Sequence, residues 1–175
     1  MIPDESVETA WEGKWISVKR QGRWEYVSRT RGIEAVVILA IDHEDHVLLV
    51  EQYRVPLGRR CLELPAGLIG DEGAGDSVHA AARRELEEET GYACETIADL
   101  GFFHSSPGMV TEGFNLVRAS GLTRIGEGGG IRGEEDILVH RVGRDEMPRF
   151  VAQKRAEGVA IDVKLLLLLA GSLLN

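Results

Sequence analysis

The sequence predicts an α/β sandwich with a β-hairpin arm at its N-terminus, and three observations lead there. Residues 33–41 are nearly continuous in Ala, Val, Ile and Leu, as suits a strand buried on both faces. Residues 77–90 carry a helical pattern between a capping residue and a glycine. Strand-like segments lie on both sides of that helix, and no internal repeat is visible.

The elements follow in chain order. Lys14-Trp15-Ile16-Ser17-Val18 and Trp24-Glu25-Tyr26-Val27 alternate in polarity around Gln21-Gly22-Arg23, which predicts a hairpin in an arm spanning residues 1–32. Two strands alone are marginal in water, so the arm must dock on the main domain, on a second subunit, or on both. The domain itself spans 33–175, with a polar turn at 42–45 and a second strand at 46–53. A Gly- and Asp-rich loop is expected at 67–75, and a helix at 77–90 with Asp76 or Ser77 as N-cap and Gly91 as left-handed terminator. Further strands are expected at 97–104, 114–119 and 137–142. The glycine-rich stretch 126–133 reads as a mobile linker, and helices near 145–157 and 161–174 end the chain.

Composition narrows the function. With 43% hydrophobic and 28% charged residues the chain can bury a sizeable core. Its net charge of −9 argues against a nucleic-acid partner held by phosphate neutralisation. An acidic protein that handles phosphate compounds must therefore bring local Arg and Lys, or a metal. Cys61 and Cys94 form no metal-binding or redox motif and read as reduced thiols of a cytoplasmic protein. The N-terminus lacks signal-peptide character, and the Leu run at 165–169 is far too short for a membrane span, so it reads as one buried helix.

On the helix, Val78, Ala81, Ala82 and Leu86 share one side, and Glu85, Glu88 and Glu89 continue nearly the same side one to two turns on. A glutamate run is usually a solvated surface. Here the carboxylates point inward, where they are costly unless protonated or paired with cations. A hard divalent ion is the simplest partner for such oxygens, and Mg²⁺ keeps positions open for phosphate oxygens and water.

The run Arg84-Glu85-Leu86-Glu87-Glu88-Glu89-Thr90-Gly91-Tyr92 resembles the core of the Nudix hydrolase box, R-E-U-x-E-E-x-G-U, with U bulky and apolar. The full box places a Glu eight residues before the Arg and a Gly six before that. Asp76 and Gly70 stand there, and Gly67 is the expected counterpart of the opening Gly, with three extra loop residues. The segments Glu51-Gln52-Tyr53-Arg54, Leu62-Glu63-Leu64-Pro65-Ala66-Gly67, Ser105-Ser106-Pro107-Gly108 and Glu135-Asp136-Ile137-Leu138-Val139-His140 resemble the ADP-ribose and ADP-sugar pyrophosphatase branch, as do Lys14-Trp15 and Arg23-Trp24-Glu25.

The resemblance implies an α/β/α sandwich with a mixed sheet, homodimeric, that hydrolyses ADP-ribose to AMP and ribose 5-phosphate. GDP-mannose and NADH are rival substrates, and a nucleotide-binding module without hydrolysis is the rival class. It implies metal ligation by the Ala66 carbonyl, Glu85 and Glu89 with Glu88 nearby, two or three Mg²⁺ ions with Mn²⁺ as a substitute, and Glu135 as general base with Glu134 as fallback. Arg54, and with less support Arg29, would pair with phosphate, since guanidinium offers a planar donor fork. Glu63 would orient an Arg or a substrate hydroxyl, and Glu112 would act on the ribose side. Trp15 and Trp24 would stack on adenine, with packing of the arm on the body or across a dimer as the alternative. For the charged residues the alternative is an ordinary surface ion pair or acid.

Some signals carry less. The GxGxxG match at 128–133 opens no helix, and flexibility that lets Glu135 swing in is its expected use. His43 and His46 are expected to face water, and Cys61 to serve packing rather than nucleophilic attack.

Overall fold

Residues 6–30 fold as a three-stranded antiparallel sheet, one strand more than the expected hairpin. β1 (Glu8–Glu12), β2 (Ile16–Gln21) and β3 (Trp24–Arg29) follow in order. Every residue of β1 is exposed, so no apolar alternation marked it in the sequence. The computed structural model describes residues 6–30, 33–70, 77–130 and 136–173. The arm docks on its own chain: the Val27 amide donates to the Met109 carbonyl at 2.9 Å, and the Thr111 amide donates to the Val27 carbonyl at 3.0 Å.

The body is organised around β4 (Glu34–Ala40), whose burial on both faces agrees with its apolar run. Val36, Ile38 and Ala40 enter one core, and Val37 and Leu39 enter the other, as the period of two requires. β5 (His46–Arg54), β6 (Arg59–Glu63) and β7 (Ala66–Ile69) precede α1 (Val78–Thr90). β8 (Tyr92–His104), β9 (Gly113–Arg124), β10 (Leu138–Gly143), α2 (Met147–Ala156), β11 (Ala160–Ile161) and α3 (Leu166–Leu173) complete the chain. Two four-stranded sheets result, in the orders β7-β4-β9-β8 and β10-β5-β6-β11. Both are mixed, since β4 pairs parallel with β9 and β6 parallel with β11.

The helices cover the two outer faces. Ala81, Ala82 and Leu86 of α1 pack with Val36, Ile38, Leu48 and Val117. Met147 and Val151 of α2, with Leu165 and Leu169, pack on Leu49, Leu62, Leu64 and Leu116. This is the α/β/α sandwich expected. A fully buried leucine such as Leu86 stabilises the packing by about 1.5–3 kcal/mol. The leucine run near the end departs from the expectation of one buried helix. Leu165 and Leu169 face the core, while Leu166 and Leu167 are about half exposed. No helix among the described residues is long and apolar enough to cross a membrane.

The segment expected as a loop from residue 67 begins as β7, which pairs with β4 and sets Gly67 beside Val36. Gly67 within it and Gly70 just after it masked its strand character. That short strand carries the floor of the site.

Candidate active site

α1 is fixed at both ends by local chemistry. The Ser77 side chain accepts a hydrogen bond from the Ala80 amide, and Gly91 ends the helix at φ 74° in the left-handed region, its amide donating to the Glu87 carbonyl. The glycine-rich stretch then closes on this terminus. Gly129 donates to the Glu89 carbonyl at 2.9 Å and Gly130 to the Glu88 carbonyl at 3.0 Å, while Ile125 and Gly126 donate to the Gly91 carbonyl. Residues 126–130 therefore satisfy helix carbonyls that would otherwise lack partners, and are not the free linker expected. Glu134 and Glu135 lie outside the described residues, as does Asp76.

A cleft of about 480 Å³ opens beside α1 and β7. Glu85, Glu88 and Glu89 line it together with Ala66, Gly67, Arg29, Arg54, Glu63 and Glu112. The inward projection of the glutamates is as the helical spacing required: Glu89 is 5% exposed, Glu85 and Glu88 are partly buried, and Glu87 is exposed. Each acid has an anchor. Glu89 Oε2 accepts from the Ala66 amide at 3.0 Å. Glu85 Oε1 accepts from Arg84 at 2.7 Å, and Glu88 lies 3.6 Å from the same guanidinium nitrogen. Arg84 also reaches the Leu68 carbonyl.

Gly67 is a glycine because of Glu85. A Cβ placed on it would lie 1.9 Å from the Glu85 carboxyl carbon, so the acid rests on bare backbone. Gly70, the other candidate for the opening glycine of the box, has nothing within 4 Å of such a Cβ. Gly70 needs glycine for its backbone, at φ 89°, whereas at Gly67 the need comes from contact with the acid.

Two more arginines face the cleft, each carrying a carboxylate. Arg54 grips Glu63 with both prongs, at 2.6 and 2.9 Å. These hydrogen bonds hold the Arg54 guanidinium above its ordinary pKa, against the opposing effect of burial. Arg29, at the end of β3, pairs with Glu112 through Nε at 2.7 Å and so brings the arm to the cleft rim. Gln52, Phe114 and Lys164 also line the cleft. Lys164 was missed in the sequence, because a lysine just before a leucine run reads as an ordinary helix start.

Trp15 and Trp24 are not brought to the cleft of their own chain. They are 52% and 49% exposed on the arm, and neither lines the cavity. Cys61 sits behind Glu63, where burial pushes its thiol up to about 12 and rules out a thiolate nucleophile at neutral pH. Both cysteines are free.

Beneath the strands, Glu51 is 3% exposed and takes Arg60 at 3.0 Å, His140 at 3.0 Å and Lys154 at 2.8 Å. Burial would raise its carboxyl, but bonds from Lys154 and His140 pull it below the ordinary value. Arg60 continues to Asp136, bonding its side chain and its carbonyl. A group of two acids and a histidine lies elsewhere: Asp42, Glu44 and His46, each with a potential ligand atom within 4.8 Å of the others. Arg141 bonds both carboxylates, and backbone amides of Glu44 and His46 bond Asp42, so both acids of this turn already have partners. His46 is half-buried there rather than fully in water.

The fold and the cleft define a class: an α/β/α protein with an oxygen-lined, arginine-flanked cavity against a glutamate-rich helix. Residues 31–127, more than half the chain, match the NUDIX domain, and the chain belongs to that family. It is 37% identical over 121 residues to a methanol dehydrogenase activator of Bacillus methanolicus, covering 69% of this chain and 64% of that one. It is 32% identical over 120 residues to an ADP-ribose pyrophosphatase of Bacillus subtilis, covering 69% and 63%. The chain thus spans less than two thirds of the length of these relatives. A crystal structure of an ADP compounds hydrolase superposes with a TM-score of 0.69 at 25% identity, covering 96% of this chain and 91% of that one.

Proposed function

We propose that this protein is a Mg²⁺-dependent pyrophosphatase that hydrolyses ADP-ribose to AMP and ribose 5-phosphate. The observation that carries the reading is the seating of Glu85 on Gly67 and of Glu89 on the Ala66 amide, within a cleft that also holds Arg29, Arg54 and Arg84. Carboxylates packed this closely on backbone have no room for a bulkier neighbour, and their donor set is all oxygen, which fits a hard divalent cation. Glu85, Glu88, Glu89 and the Ala66 carbonyl are the residues assigned to hold it, as two or three Mg²⁺ ions with Mn²⁺ as substitute. When bound, such ions neutralise phosphate charge and lower the pKa of water.

The chain's own groups do the rest. The guanidiniums of Arg54 and Arg29 bind diphosphate oxygens, and Glu63 and Glu112 hold them in orientation through the bonds described above. Glu112 also accepts from ribose hydroxyls. Glu135, with Glu134 as fallback, takes the proton from the attacking water. One P–O bond forms to water and one bridging P–O bond breaks, the bridging oxygen leaving on the other product. Trp15 and Trp24 stack on adenine. Their exposure outside the cleft of their own chain supports a homodimer in which the arm serves the neighbouring copy. Two free cysteines support a reducing, cytoplasmic setting.

Initial rates on ADP-ribose, ADP-glucose, GDP-mannose and NADH with Mg²⁺ test the reading. ADP-ribose is expected among the better substrates. Faster turnover of GDP-mannose or NADH alone would move the substrate assignment. Zero turnover of all four with tight nucleotide binding would make the protein a binding module.

A further inference from the structure

We infer that Lys164 is a substrate-binding residue of the cleft, donating to a non-bridging oxygen of the diphosphate; the inference rests on the function proposed above. Lys164 lies in a 3-10 turn, Val163–Leu165, capped by the Asp162 side chain, which accepts from the Lys164 amide at 2.8 Å. The turn is anchored on both sides: the Asp162 amide donates to the Leu62 carbonyl at 3.0 Å, one residue from Glu63, and Leu165 is fully buried. The last helical layer is thereby tied to the strand that supplies a cleft acid.

The lysine side chain is held in place before any ligand arrives. Its ammonium is 2.7 Å from Asp162 Oδ2 and 5.6 Å from the centre of the Phe114 ring, and the side chain is only 19% exposed. Much of the rotamer entropy that a free surface lysine would lose on binding is already lost here.

Charge and donor count give the ligand class. Among the cleft-lining cations, Arg29, Arg54 and Arg84 each bond a carboxylate that itself lines the cleft: Glu112, Glu63 and Glu85. Lys164 bonds Asp162, which is not part of that lining. Among the cleft-lining cations it is therefore the one with no cleft acid attached. An ammonium has three donors, and the bond to Asp162 uses one. The others are suited to an anionic oxygen, and phosphate offers several in every direction, which matches a lysine point charge rather than a planar fork.

The test compares Lys164→Met, Lys164→Gln, Lys164→Arg and Asp162→Asn with the parent in ADP-ribose kinetics, inhibition by inorganic pyrophosphate, and thermal unfolding. Removing the charge is expected to raise KM for ADP-ribose and Ki for pyrophosphate by about tenfold, with kcat within about twofold. Lys164→Arg is expected to recover most of the loss. Asp162→Asn is expected to lower Tm while moving KM by less than about threefold. A lysine that only braces the turn gives the opposite pattern: lower Tm in the Met and Gln variants and unchanged KM and Ki, which overturns the inference. If the parent hydrolyses no diphosphate, the proposed function fails separately, and calorimetric binding of ADP and pyrophosphate becomes the readout. Weaker binding by the uncharged variants then sustains the role of Lys164; equal affinity, or no binding by the parent, overturns it.

Discussion

Replacing Gly67 by alanine asks whether Glu85 must rest on bare backbone. The added methyl would sit 1.9 Å from the Glu85 carboxyl carbon and 2.1 Å from its Oε1, where ordinary contact begins near 3.4 Å. The carboxyl group must therefore retreat by about 1.5 Å, out of the place where Arg84 holds it. Misplacement of a functional group by about 1 Å can cost on the order of 100-fold in rate, and ligand distances tolerate only about 0.2 Å. We expect kcat/KM for ADP-ribose to fall at least about 100-fold. Stability should change little, because the displaced atoms are the end of a flexible side chain. Alanine also replaces glycine inside β7, which is worth about 0.5–1 kcal/mol in its favour, so Tm should move by no more than about 4 °C. The assay is AMP release at saturating Mg²⁺, with unfolding followed by circular dichroism. A folded Gly67→Ala protein with activity within about twofold of the parent would refute the reasoning.

Other substitutions separate roles within the site. Glu89→Gln keeps an acceptor for the Ala66 amide, so the fold should hold while kcat falls by orders of magnitude and metal activation weakens; Glu135→Gln should lower kcat with metal affinity near normal, and retention of parental kcat by both would undo the assignments. Arg54→Met should raise KM and also cost about 1–3 kcal/mol in a denaturant titration, because Glu63, 6% exposed, loses a two-pronged partner. Acid should destabilise the protein in two stages. His140, facing Glu51, Lys154 and Arg60, is held below its ordinary 6.5 chiefly by burial, so below that pH the unfolded chain binds the proton first and stability falls. Glu51 is held below its ordinary 4.5, so a second loss begins under that value as pH falls. His140→Phe should remove the first stage; an unchanged profile between pH 6.5 and 5 would contradict this origin.

What could be read from the sequence was whatever a short stretch of chain decides by itself. The span of α1 follows from Ser77 and Gly91, and the inward turn of Glu85, Glu88 and Glu89 follows from helical periodicity. β4 was visible because burial on both faces leaves an unbroken apolar run. Features that depend on distant partners were not visible. Arg29 pairs with Glu112 across 83 positions, and the Glu51 network joins β5, β6, β10 and α2. β7 was hidden because its glycine answers to Glu85 and not to a turn. β1 was hidden because nothing in it is buried. The glycines at 126–130 read as slack, yet a Cβ on Gly128 would fall 2.4 Å from the Thr90 carbonyl carbon, so its small size lets the backbone reach the end of α1. Lys164 gains its place in the cleft through the Leu62 carbonyl that anchors its turn and the Phe114 ring beside its ammonium.

The proposed reaction requires a divalent cation held by the acids of α1. Its most direct test is ADP-ribose hydrolysis by the parent protein after exhaustive chelation, followed by stepwise return of Mg²⁺ or Mn²⁺. We predict no AMP release in chelator and full recovery that saturates with added ion, with the Glu89→Gln protein failing to recover. Undiminished hydrolysis in chelator, or recovery by Glu89→Gln equal to the parent, would contradict it.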